Sequence, residues 1–141
     1  MKKWIILGLV ILGLLAVFCV NRVASGRLIF ASQVQWGEFR GYDSCDDPAT
    51  KRVELTDDEV RTLLTHFTLA AYAGKVNAEG CPSDFGFVIY LEDGTKISAR
   101  EANSPRVEVG PANGEKYWIK SQALADFAQE LIEKYDLEIS E

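Results

Sequence analysis

The chain has 141 residues, 48% hydrophobic and 26% charged, with 15 glycines and prolines together, a composition that excludes a disordered or collagen-like chain. Its net charge of −6 is unevenly spread: residues 1–27 hold four basic groups and no acid, so the remaining 114 residues carry 11 basic and 21 acidic groups, a net −10. A domain that acidic does not bind nucleic acid through bulk charge.

Residues 4–20 form a run of 17 without a charge, preceded by Lys2 and Lys3 and followed by Asn21 and Arg22. As a helix rising ~1.5 Å per residue it is about 26 Å long, close to the roughly 30 Å hydrocarbon core of a bilayer. The reading is a signal-anchor or transmembrane segment over 1–20 and a short linker over 21–27. Three alternatives stay open: a signal peptide cleaved near Val23-Ala24-Ser25, a lipoprotein anchored at Cys19 despite the bulky Phe18 before it, and a buried core helix. Lys2, Lys3 and the terminal amine put the N-terminus inside, with Arg22 and Arg27 opposing this, so the expected location is the cell membrane, single-pass, N-in and C-out. Cleavage would instead leave a secreted or periplasmic domain. Gly8 and Gly13 lack the Gly-x-x-x-Gly spacing of helix pairing.

Residues 28–141 read as one extracytoplasmic domain, enough for a single core. In residues 28–42 the β-forming Phe30, Val34, Trp36 and Tyr42 fall on even positions, a period of two that suggests a strand with those side chains on one face. A turn with Asp46, Asp47 and Pro48 leads to a short strand over 51–55. Thr56-Asp57-Asp58-Glu59 is a capping box, with Leu55 and Val60 placed for a hydrophobic staple. Val60, Leu63, Leu64, Phe67 and Ala71 then make one helical face, and Gly74 ends the helix. Strands over 85–91 and 95–100 flank Asp93-Gly94, a hairpin turn signal. Strands over 106–109 and 115–120 make a second hairpin. Ser121 caps a last helix whose face is Leu124, Phe127, Ala128, Leu131, Ile132 and Tyr135. The expected class is α+β: a transmembrane helix, then an antiparallel sheet of about five or six strands in the order β-β-α-β-β-β-β-α, with two helices on one face. In layout this resembles the small single-anchor extracytoplasmic domains of bacteria, a resemblance that carries no functional residue with it.

Cys45 and Cys81 lie in polar, turn-rich stretches, and in an exported domain they read as a disulfide closing a loop of 37 residues. A metal pair or a reactive thiol is the alternative, although His66, the single histidine, supplies too few further ligands. His66 itself reads as a solvated surface residue. Asp43, Asp46, Asp47, Glu79 and Asp84 form a weak candidate calcium cluster, lacking the glycine and terminal glutamate of an EF-hand. Nucleophile elbows, phosphate loops and zinc motifs are absent, so no catalytic residue and no cofactor is assigned.

Strand alternation places Phe85, Phe87, Ile89, Leu91, Ile97, Ala99, Val107, Val109, Tyr117 and Ile119 under the helices. The opposite face then carries Tyr90 and Trp118 among Lys96, Arg100, Arg106, Lys116 and Lys120, with Val88, Ser98, Glu92 and Glu108. That locally basic, aromatic face is the candidate binding face. The expected function is a non-enzymatic, membrane-anchored extracytoplasmic module that binds a protein or envelope component. The rivals are an accessory subunit of a membrane complex, an envelope enzyme or a calcium-binding domain.

Overall fold

The computed structural model describes residues 1–24, 29–42, 51–77, 84–102, 104–111 and 114–137. Helix α1 is Lys2–Ala24, and the side chains of residues 1–20 are exposed throughout. It is long and apolar enough to cross a membrane. A core helix would be covered by its domain, so this exposure overturns the buried-helix alternative.

A 3-10 turn, Ala31–Gln33, leads into β1, Val34–Tyr42, and β2, Lys51–Glu54. Helix α2, Asp57–Leu69, is followed by β3, Ala71–Lys75. Then come β4, Asp84–Leu91, β5, Lys96–Arg100, β6, Arg106–Pro111, β7, Tyr117–Lys120, and helix α3, Gln122–Lys134. The seven strands form one antiparallel sheet in the order β2-β1-β4-β5-β6-β7-β3. Because β2 and β3 are opposite edges, α2 carries the chain across the sheet. At ~1.5 Å per residue its 13 residues span about 20 Å of that width.

Both helix starts follow from sequence. The Thr56 amide donates to Glu59 Oε2 at 2.8 Å and the Glu59 amide to Thr56 Oγ1 at 3.3 Å, the reciprocal capping box. Ser121 Oγ accepts from the Leu124 amide at 3.1 Å. Val60, Leu63, Leu64 and Phe67 of α2 and Leu124, Phe127, Ala128, Leu131 and Ile132 of α3 join one core with Phe39, Phe85, Phe87, Ile89, Ile97, Val107, Val109 and Ile119 of the sheet. The α3 ring of Phe127 stacks on Phe87 of β4, with centroids 5.8 Å apart. Glu59 also ties the first turn of α2 to the end of α3, which makes the helices antiparallel. Its Oε1 accepts from Lys134 Nζ at 2.7 Å and from the Tyr135 hydroxyl at 2.9 Å. Burial works against its charge, but the Lys134, Thr56-amide and Tyr135 hydrogen bonds outweigh that and hold the carboxyl below the usual glutamate range.

Four expectations are corrected. The sheet has seven strands rather than five or six, because residues 71–75 leave the helix. Ala70 is extended (φ −62, ψ 145), and Ala71 pairs with Lys120, Tyr72 with Ile119 and Lys75 with Tyr117. Local alanines favour helix, but the otherwise open edge of β7 offers hydrogen bonds that local propensity cannot see. Second, the even positions of 28–42 do not all share one face: Val34 packs against the core, whereas Trp36 and Tyr42 lie on the opposite side. Phe39 is fully buried toward the helices with Gly37 and Gly41 beside it, while Trp36, Glu38, Arg40 and Tyr42 point the other way. The glycines carry no apolar signal, and a bulge between Val34 and Trp36 breaks the period. A Cβ at Gly37 would lie 3.4 Å from Val60 Cγ2, so glycine there lets α2 close onto the sheet. Third, Val88 lies on the outer face as expected, opposite Glu38 and Ser98, but is buried there, 1% exposed. Fourth, His66 is half-buried rather than solvated, its ring tilted against Phe127 at 5.8 Å between centroids.

Candidate functional site

The helices cover one side of the sheet, and the other side is the outer face. Register places its residues in rows. Trp36 of β1 lies opposite Tyr90 of β4, and Tyr90 opposite Lys96 of β5. Tyr42 lies opposite Asp84, Gly86 opposite Arg100, and Arg100 opposite Glu108 of β6. Glu108 then meets Trp118 of β7, and Arg106 meets Lys120. The five basic residues expected on this face, with Tyr90 and Trp118, lie on it, joined by four β1 side chains, Trp36, Glu38, Arg40 and Tyr42, that sequence reading had not assigned to it.

The face divides into two parts. On β1, β4 and β5 it is closed over by its own side chains. Trp36 and Tyr90 stack with centroids 4.0 Å apart and planes 6° from parallel. The Tyr90 hydroxyl accepts from Arg40 Nη2 at 2.6 Å and donates to Glu38 Oε1 at 3.0 Å, while Arg40 also pairs with Glu38. Beside them Asp84, 3% exposed, accepts from Arg100 Nη2 at 2.5 Å and from the Glu101 amide at 2.6 Å. The second bond fixes a non-glycine residue in the left-handed region, Glu101 at φ 56. The Arg100 guanidinium lies 4.1 Å from the Tyr42 ring centroid. Burial opposes the Arg100 charge, but Asp84 outweighs it and its pKa lies above the ordinary arginine value. For Glu101, burial and then the Asp84 and Glu108 charges push the carboxyl upward. Gly86 sits beneath this cluster, where a Cβ would stand 2.7 Å from the Ala99 carbonyl oxygen and 3.2 Å from the Tyr42 ring. These layers account for the burial of Val88.

On β6 and β7 the face is open. Trp118 is half-buried, with Gly74 of β3 offering no side chain on one flank. Arg106 lies over its ring at 4.6 Å. Lys116 reaches Glu108 at 3.1 Å, and Lys120 is exposed. The first strand does not fold across this face; it lies in the plane of the sheet beside β4. Lys96, at the far end, stands 6.0 Å from the Tyr90 ring.

The remaining candidates separate. Cys45 and Cys81 lie outside the described residues, as do Asp43, Asp46, Asp47 and Glu79. Asp84 is described, and its carboxylate is already engaged by Arg100 and the Glu101 amide. Among the described residues no group of three or more His, Cys, Asp or Glu side chains is arranged to hold a metal ion. The arginine-carboxylate partners Glu38, Arg40 and Asp84 were missed by sequence reading. For Glu38 and Arg40 the signal was alternation in 36–42, legible once Gly37 and Gly41 are read as core-facing; Asp84 had been read as a weak calcium ligand rather than as an arginine partner.

What results is an α+β domain with a helix-backed antiparallel sheet, a polar-aromatic outer face and an N-terminal apolar helix. Comparison with protein-family models, with curated proteins and with solved structures finds no match.

Proposed function

We propose that this chain is a membrane-anchored extracytoplasmic module, N-in and C-out, that binds a protein or envelope component through the β6–β7 part of its outer face. The observation that carries the reading is the contrast within that face: Arg106, Lys116 and Lys120 are exposed around a half-buried Trp118, while Arg40 and Arg100 are drawn onto the carboxylates of Glu38 and Asp84. Tryptophan and arginine dominate interface hot spots, and a basic patch on a net −10 domain steers an acidic partner. Helix α1, long and apolar enough to cross a bilayer, supplies the anchor.

The disulfide belongs to the same reading. Tyr42 and Asp84 are cross-strand partners at the end of β1 and the start of β4. Cys45 lies three residues beyond the first and Cys81 three residues before the second. Facing residues of an antiparallel pair have Cα atoms about 4.5–5.5 Å apart, within the range a disulfide requires. Equal chain lengths from such a pair give both cysteines the reach to meet.

The test is a crosslinking pulldown from intact membranes, comparing the wild type with Trp118→Ala and with Lys116→Glu, Lys120→Glu. Trp118→Ala should weaken capture by about 2 kcal/mol or more while the domain stays folded. Capture unchanged in both variants would place the binding elsewhere. A reporter fused after Glu141 that is active only in the cytoplasm would overturn the orientation, and two titratable thiols in the unreduced domain would overturn the disulfide.

A further inference from the structure

Outside α1, the large apolar side chains left strongly exposed among the described residues are Phe30, Leu69 and Tyr72. Two of them flank one feature. Ile29, Phe30 and Ala31 lie against Leu64, Thr68 and Leu69 of α2, enclosing an open groove of about 380 Å³. Phe30 is 56% exposed and Leu69 69% exposed. The exposure of Phe30 is not fraying. Its amide donates to Gln33 Oε1 at 2.9 Å and its carbonyl accepts from the Gln33 amide at 2.9 Å, so the backbone is pinned while the ring stays outside.

The chain says what adjoins this edge. Helix α1 ends at Ala24, and Ile29, 7% exposed, is already part of the domain core. Five residues extend at most about 17 Å. Phe30 is therefore tethered within about 20 Å of the end of the apolar helix, whatever path those residues take. Among the described residues no acidic side chain lines the groove, and the charged group that does is Arg61, which also pairs with exposed Asp58 at 3.4 Å. Arg22 falls in the last turn of α1 and Arg27 in the sequence that follows it, ahead of a domain that is otherwise strongly acidic. An apolar rim beside basic groups is the pattern that enters the headgroup–acyl boundary of a bilayer.

We propose that the Phe30–Leu69 edge rests in the interface of the bilayer that α1 spans, seating the domain against the membrane. This rests on reading α1 as an anchor. The test uses the full-length chain in vesicles of phosphatidylcholine and phosphatidylglycerol carrying a diazirine-bearing phosphatidylcholine, with lipid adducts mapped by mass spectrometry after illumination. Adducts are expected on α1 and on the peptides holding Phe30 and Leu69, and not on the peptide holding Trp118. In Phe30→Glu, Leu69→Glu the domain adducts should fall about tenfold with those on α1 unchanged. Adducts on α1 alone, or equal labelling at Trp118 and Leu69, overturn the seating while the anchor stands. Absence of adducts on α1 overturns the anchor and the seating together. The wild-type pattern decides the matter even if the double variant fails to fold.

Discussion

On the outer face of the sheet, the β1–β4–β5 half and the β6–β7 half are built from the same materials, aromatic rings set among arginines, lysines and carboxylates. In the first half the rings and guanidinium groups are engaged by one another and by carboxylates: Trp36 with Tyr90 of the next strand, Arg40 with Tyr90 and with Glu38 of its own strand, Arg100 with Asp84 of the next strand and with Tyr42 one strand further. In the second, Arg106 covers one side of Trp118, and Lys120 makes no ion pair among the described residues. The difference lies in the neighbours. Tyr90 has side chains on both adjacent strands, whereas Trp118 has Gly74 on one flank. Composition alone therefore does not identify a binding patch; the same residue types serve as cover for the sheet where strands on both sides can engage them.

That contrast can be broken most sharply at Asp84. Asp84→Ala should cost about 3 kcal/mol in urea unfolding, because it strands the Arg100 charge and removes the acceptor that holds Glu101 left-handed. A loss below about 1 kcal/mol would show the closed half to be surface ornament. Tyr90→Ala should cost about 2 kcal/mol by the same measurement, since it opens the Trp36 stack and leaves Glu38 and Arg40 short of a hydrogen-bond partner.

Glu59 provides an intermediate case on the helical side. Its folded pKa lies below the ordinary value, so its contribution is complete above about pH 4.3 and is lost as the pH falls through the lower folded value. Glu59→Gln should lower stability by about 1 kcal/mol at neutral pH and flatten the acid limb of the stability profile. An unchanged acid limb would mean that the Lys134 and Tyr135 contacts do not persist in solution.

The smallest effect is expected at the open half, where Trp118→Ala should shift stability by about 0.5 kcal/mol or less. A loss comparable with that of Tyr90→Ala would make Trp118 structural and remove the basis for the binding face.

Local signals in the chain were sufficient wherever the deciding interaction is local. The apolar run of residues 4–20, the Thr56 and Ser121 caps, the Asp93-Gly94 hairpin and the helix-facing alternation of 85–91 and 106–109 are all read within a few residues of themselves. Capping, hairpin turns and two-residue alternation are short-range physics, and α1 is defined by its own composition. The structure alone decided what depends on distant partners. Residues 71–75 became a strand because β7 had an unpaired edge, and the faces of β1 were set by Phe39 packing onto Phe85 and Phe87. Which basic side chains on the outer face remain open was decided by the carboxylates that register brings beside them. Pairing across strands joins residues about 50 positions apart, such as Arg40 with Tyr90, and no local pattern encodes which of several chemically equivalent partners will be adjacent.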